Sequence, residues 1–231
     1  MKFKLLCAAV VLAIGGEACI SPAVGDDRED AILAVRNDNP GELKDRLARG
    51  LDPNFVDASG EPALVNALRF QAYRAADLLI ANPATDLNRA NQVGETPLML
   101  AAYFGRETLV EKLIARGAQV NKPGWTPLHY AAGEGHRDVV LTLLSRSAAI
   151  DSESPNKMTP LMMAARSRQT DMCRLLVAKG ADPARTNDAG LAAADFARRA
   201  SDPALAEWLE QQAGAFKAGS RTTSPGVIDP D

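Results

Sequence analysis

One short phrase, present three times, constrains this chain more than anything else in it. Gly94-Glu95-Thr96-Pro97-Leu98, Gly124-Trp125-Thr126-Pro127-Leu128 and Met158-Thr159-Pro160-Leu161 are each followed by a pair of alanines and then by an apolar stretch of helical spacing. With the leucine as marker, weaker copies fall at Ala31, Leu64 and Ala194, giving steps of 33, 34, 30, 33 and 33 residues. A unit of that size cannot enclose a core of its own, so copies must stack and share one. The apolar content is largely Ala and Leu, with only 5% aromatic residues, which suits short, closely packed helices.

The residues of each unit have separable tasks. Thr126 can cap a first helix, with Pro127 at its first position, where a missing N–H costs nothing. Leu128, Ala131 and Ala132 fall on one face of that helix, and Gly135 can take the positive φ that ends it. Val139, Val140, Leu143 and Leu144 then form the apolar face of a second helix. Ala101, Ala102, Gly105, Leu109, Val110, Leu113, Ile114 and the closing Gly117 repeat the scheme one unit earlier. These residues resemble the ankyrin repeat family. The resemblance implies an all-α solenoid of about six helix-turn-helix repeats with hairpin-like fingers, near 31–59, 60–93, 94–123, 124–156, 157–189 and 190–213, the outer two acting as caps. The 30-residue step places a three-residue deletion between Asn121 and Gly124, predicting one truncated finger and an undisturbed helical core.

The ends read differently. Lys2 and Lys4 precede an uncharged run from Leu5 to Gly16, and small residues follow up to Ala23, the layout of a secretory signal over residues 1–23. The run is too short to span a bilayer comfortably, so the expectation is cleavage after Ala18 or Ala23, or lipid attachment at Cys19. A short linker, 24–30, leads into the repeats, and a polar tail, 214–231, is expected to be disordered. The combination reads as an exported, periplasmic type of bacterial ankyrin repeat protein, or a lipoprotein at the periplasmic face of a membrane. A monomer without stable membrane insertion is expected. Cys173 sits at an apolar repeat position and reads as a buried thiol, so no disulfide framework follows.

Chemistry is hard to find in the chain. Net charge is -3, with 26 basic and 29 acidic residues and no basic stripe, which argues against nucleic acid. Of the two histidines, His129 follows Thr-Pro-Leu, where the resemblance implies a hydrogen bond to the neighbouring repeat's backbone, and His136 follows the turn glycine. Equivalent positions hold Met99, Met162, Arg106 and Gln169, so no second ligand or triad converges. With no phosphate loop and no nucleophile elbow, the chain reads as non-enzymatic, with no catalytic residues, metal or cofactor. The leading expectation is a protein-binding module. An immunity or inhibitor protein covering a toxin's or enzyme's active site is the alternative, and a metal-independent hydrolase is the weakest reading.

In the family, the concave surface is made by the fingers and by two residues after each alanine pair. Those pairs are Arg36 and Asn37, Arg69 and Phe70, Tyr103 and Phe104, Gly133 and Glu134, Arg166 and Ser167, and Arg199 and Ala200, with Glu61, Glu95, Trp125 and Met158 added from the fingers. Arg69, Phe70, Tyr103, Phe104, Trp125, Met158, Arg166 and Arg199 are the expected partner-binding residues, because aromatics and arginines make hot spots. The expected partner surface is apolar at its centre and acidic at its edges.

Overall fold

The computed structural model describes residues 24–221, and the proposed signal, Cys7, Cys19 and residues 222–231 lie outside them. Twelve helices form six antiparallel pairs among the described residues. The first helices of the pairs are α1 (Val24–Arg36), α3 (Ala63–Arg69), α5 (Pro97–Tyr103), α7 (Pro127–Glu134), α9 (Pro160–Arg166) and α11 (Ala193–Arg199). The second helices are α2 (Pro40–Ala48), α4 (Tyr73–Ala81), α6 (Glu107–Ala115), α8 (Arg137–Ser145), α10 (Thr170–Ala178) and α12 (Pro203–Arg221). First helix packs on first helix and second on second along the stack.

The Thr-Pro-Leu phrase explains where the first helices begin. Thr96, Thr126 and Thr159 are N-caps with proline at the first turn. Their own N–H groups donate to the side chain three residues on: Met99 Sδ at 3.3 Å, His129 Nδ1 at 3.2 Å and Met162 Sδ at 3.5 Å. This is a capping box built with unusual acceptors. The turns into the second helices need a positive φ, supplied by Gly105 and Gly135 but also by Asp38, Gln71, Arg168 and Ser201. Glycine is required where the next repeat leans on the turn. A Cβ at Gly105 would lie 2.6 Å from the His136 ring, and one at Gly135 would lie 2.5 Å from Gln169 Oε1.

The shared core runs the length of the stack through fully buried Leu43, Leu68, Leu79, Leu98, Leu113, Leu128, Leu143, Leu161, Leu176 and Leu209. Each such leucine stabilises the fold by about 1.5–3 kcal/mol relative to exposure. Buried alanines at 67, 101, 102, 131, 132, 164 and 165 keep the first helices close. Cys173 is free and buried in this core, and burial pushes its thiol pKa up to about 12, so it is inert near neutral pH.

The fingers are registered by a ladder of side chains. The Asp86 N–H donates to Asn54 Oδ1 at 2.7 Å, Gln119 to Asn88 at 2.8 Å, Ala149 to Asn121 at 2.8 Å and Asp182 to Asp151 at 3.2 Å. Four fingers close with a matching backbone bond, Asp57 to Glu61, Asn91 to Glu95, Ser154 to Met158 and Asn187 to Leu191. The finger from Asn121 to Gly124 has no such bond among those described, as its three-residue deletion requires, and α5 to α8 remain regular.

Both proposed boundaries move. Residues 24–30 are helix, not linker: Arg46 of α2, at a position where other repeats are apolar, is gripped by Asp27, Asp30 and Glu42, which ties the acidic start of α1 to its partner helix. At the other end, α12 has 19 residues where the other second helices have 9, so residues 214–221 are helical and not a disordered tail. Ala213, Ala215, Lys217 and Ala218 are good helix formers and carry the helix on. No helix among the described residues is long and apolar enough to cross a membrane.

Candidate protein-binding face

Side chains at the ends of the first helices reach the fingers in the early repeats, where Arg36 meets Asp57 and Arg69 meets Glu61 and Glu95. Phe70 and Tyr103 are the large apolar side chains exposed there, at 51% and 40%. The Arg36 guanidinium lies over the Phe70 ring, 5.0 Å from its centroid. Tyr103 meets Phe104 edge-on at 5.0 Å and Tyr130 at 6.2 Å, so repeats three and four share an aromatic cluster. Phe104 is half-buried, as is Trp125, whose ring stands edge-on to His129 at 5.3 Å and rests on the core.

The charged groups divide this face. Arg69 bonds Glu61 through Nε at 2.8 Å and Glu95 through Nη2 at 2.7 Å. Arg36 bonds Asp57 at 3.0 Å. Burial alone would raise the Glu95 pKa, but hydrogen bonds from Asn91 and Arg69 outweigh it and hold the carboxyl below its usual range. The Tyr130 hydroxyl points at Glu95 Oε1, 3.5 Å away, and burial together with that negative charge pushes its pKa up. Arg166 and Arg199 are exposed and have no carboxylate within ion-pair distance among the described residues.

A family model for ankyrin repeats (3 copies) matches residues 31–123 and 109–187, more than half of the chain. The chain belongs to the ankyrin repeat family. Relatives include the human neurogenic locus notch homolog protein 4, 35% identical over 104 residues, which are 45% of this chain and 5% of that protein. The Drosophila melanogaster neurogenic locus Notch protein is 36% identical over 88 residues, 38% of this chain and 3% of its own length. Zygote-specific protein 3 of Chlamydomonas reinhardtii is 30% identical over 112 residues, 48% of this chain and 30% of its own. The matches therefore span only a small part of these relatives.

Both histidines of this ankyrin array have structural duties. His129 is fully buried, with Nε2 donating to the Met158 carbonyl of the next repeat at 2.8 Å while Nδ1 accepts from Thr126, and burial lowers its pKa to about 4. It is therefore neutral near pH 7. His136 Nε2 donates to the Tyr103 carbonyl of the preceding repeat at 2.8 Å.

Three expectations for the ankyrin face need correction or completion. Met158 is not available to a partner: it is 3% exposed and its side chain turns into the core, because a methionine in that finger position gains by burial where glutamate does not. Arg69 is not a free cation at the edge, since two carboxylates already pair with its guanidinium. Tyr130, which motif reading passed over, belongs to the cluster with Tyr103. Its position two residues after the marker leucine, filled by buried Leu100 one repeat earlier, was the available signal.

Proposed function

We propose that this chain is a non-enzymatic binding module of the bacterial periplasm or cell envelope, holding a partner protein through the face of first-helix ends and fingers. Ankyrin repeats are protein–protein interaction modules. The observation that carries the reading to this face is the exposure of Phe70 and Tyr103 on adjoining repeats, where neither side chain serves the core. Exposed aromatics backed by a rigid stack are what interface anchors require. The export part rests on Lys2, Lys4 and the uncharged run from Leu5 to Gly16.

The test is capture from envelope extracts with the parent and with a Phe70→Ala, Tyr103→Ala double variant. The partner is expected to be retained at least about ten-fold less well by the variant, since a single anchor is commonly worth over 2 kcal/mol. The melting temperature should hold, because both side chains face solvent. Equal capture, or an early melt, contradicts the assignment. Intact-mass measurement on exported material should show loss of the first residues or a lipid on Cys19, and a full-length product counts against export.

A further inference from the structure

The arginine that ends the first helix recurs in repeats one, two, five and six, as Arg36, Arg69, Arg166 and Arg199, each five residues after its marker, and in repeat one it is paired with Asp57. Arg69 is neutralised by two glutamates, each three residues before a marker: Glu61 of its own finger and Glu95 of the next. In the register of Arg166 those two positions are Met158 and Leu191. Arg199 has Leu191 in its own finger and no following finger among the described residues. Met158 is buried and Leu191 packs half-buried against the core, so neither place offers an acceptor. Twice, then, the arginine stands without the acid. Arg168, exposed in the turn between α9 and α10, adds a third cation without a carboxylate partner among the described residues.

We propose that repeats five and six take an acidic segment of a protein partner, whose carboxylates occupy at Arg166 and Arg199 the place that Glu61 and Glu95 fill at Arg69. The proposal deepens the reading of this face as the binding surface and rests on it. A planar guanidinium presents its donors in a fork that matches a carboxylate, so the ion pair has a defined geometry as well as charge. First helices of adjacent repeats pack roughly 8–10 Å apart. That spacing suits two acidic side chains three residues apart on one polyproline-II segment, which has three residues per turn and rises about 3.1 Å per residue. The aromatic cluster of Tyr103 and Tyr130 lies one repeat away, so an apolar residue of the same segment meets it first or last.

The probe is a random twelve-residue peptide library displayed on phage and selected on the full chain, followed by anisotropy titration of enriched peptides against four proteins. These are the parent, Arg166→Gln with Arg199→Gln, Leu191→Glu alone, and Phe70→Ala with Tyr103→Ala. Enriched peptides should carry at least two Asp or Glu, bind the double glutamine variant at least ten-fold more weakly, and weaken with salt. Leu191→Glu should weaken binding as well with both arginines in place, because it restores the internal carboxylate as a competitor. A merely destabilised stack would not be selective in this way, and its unfolding transition reveals it. Neutral or basic peptides, or acidic ones indifferent to both arginine changes, overturn the proposal. If such peptides still depend on Phe70 and Tyr103, the binding face stands and only the acidic occupant falls. If they depend on neither, or nothing is enriched, both readings fall. Single-stranded DNA or phosphatidylglycerol vesicles binding with the same arginine dependence, where no peptide does, overturns it in favour of another polyanion.

Discussion

Arg69 and Arg166 close equivalent helices at equivalent positions, and their circumstances are opposite. In the second repeat the finger residues facing the arginine are glutamates, and the charge is spent inside the fold. In the fifth they are Met158 and a half-buried leucine, and the charge is left to solvent. Repeat proteins allow this because the core is carried by the marker leucines and alanines, so finger residues vary without disturbing the stack. One half of the face is internally satisfied, and the other presents its cations to solvent.

The comparison assumes that both halves share one cooperative core, and the largest expected effect tests that. Leu143→Ala, in the middle of the stack and fully buried, should cost about 2–5 kcal/mol. Denaturant unfolding followed by circular dichroism should show one transition at lower midpoint. Two separated transitions, or no change, break the premise.

Next comes His129, which bonds repeat four to the finger of repeat five. Its folded pKa of about 4 lies below the ordinary value of 6.5, so the unfolded chain binds the extra proton between those pH values. Stability from this group is complete above about pH 6.5 and is lost as pH falls towards 4, by about 3 kcal/mol in all. His129→Met, which copies the residue of repeats three and five, should flatten that slope in unfolding free energies measured from pH 7 to 4.

A smaller effect sharpens the comparison directly. Arg69→Gln leaves Glu61 and Glu95, with side chains only 16% and 19% exposed, without their cation, and should cost about 1 kcal/mol after allowing for solvent screening. Arg166→Gln should stay within about 0.5 kcal/mol of the parent. Paired thermal melts at low salt check both, and equal losses would mean that Arg166 is satisfied after all.

The smallest effect concerns the ladder. Asp151 stands where the three preceding fingers have asparagine, and burial raises its carboxyl pKa above the usual value. A folded pKa above the unfolded one means that stability is lost as pH rises through it, so Asp151→Asn should gain stability at pH 7 and little at pH 3. Denaturant midpoints at the two pH values decide the matter.

The repeat architecture was legible because its signals are local: Thr-Pro-Leu, the alanine pairs and the turn glycines each follow from one helix end or one close contact. The truncated finger was legible from counting alone. Met158 was misplaced because position in the finger does not say which way a side chain turns; its apolar character, beside Glu61 and Glu95 at the same position, was the neglected clue. The Arg69 pairing was equally present, since both acids sit at fixed offsets, but joining them needs the distance between neighbouring fingers, which no single repeat contains. The early start of α1 was hidden because its acids are answered by Arg46 and Arg49 of α2, which are 16 to 22 residues away in sequence. The length of α12 was hidden because Gly214 and Gly219, a residue type that ends α7 at Gly135, lie inside it.

The side-chain ladder makes the stack a ruler whose marks do not depend on what is written between them. Asn54, Asn88, Asn121 and Asp151 are separated by 34, 33 and 30 residues, yet each receives the same backbone N–H from the finger that follows. Pitch is set at the marks, and length is free elsewhere. Finger segments can therefore be exchanged, shortened or extended as interchangeable tips on a fixed rod, which makes this array a natural frame for grafting new recognition loops without redesigning its core.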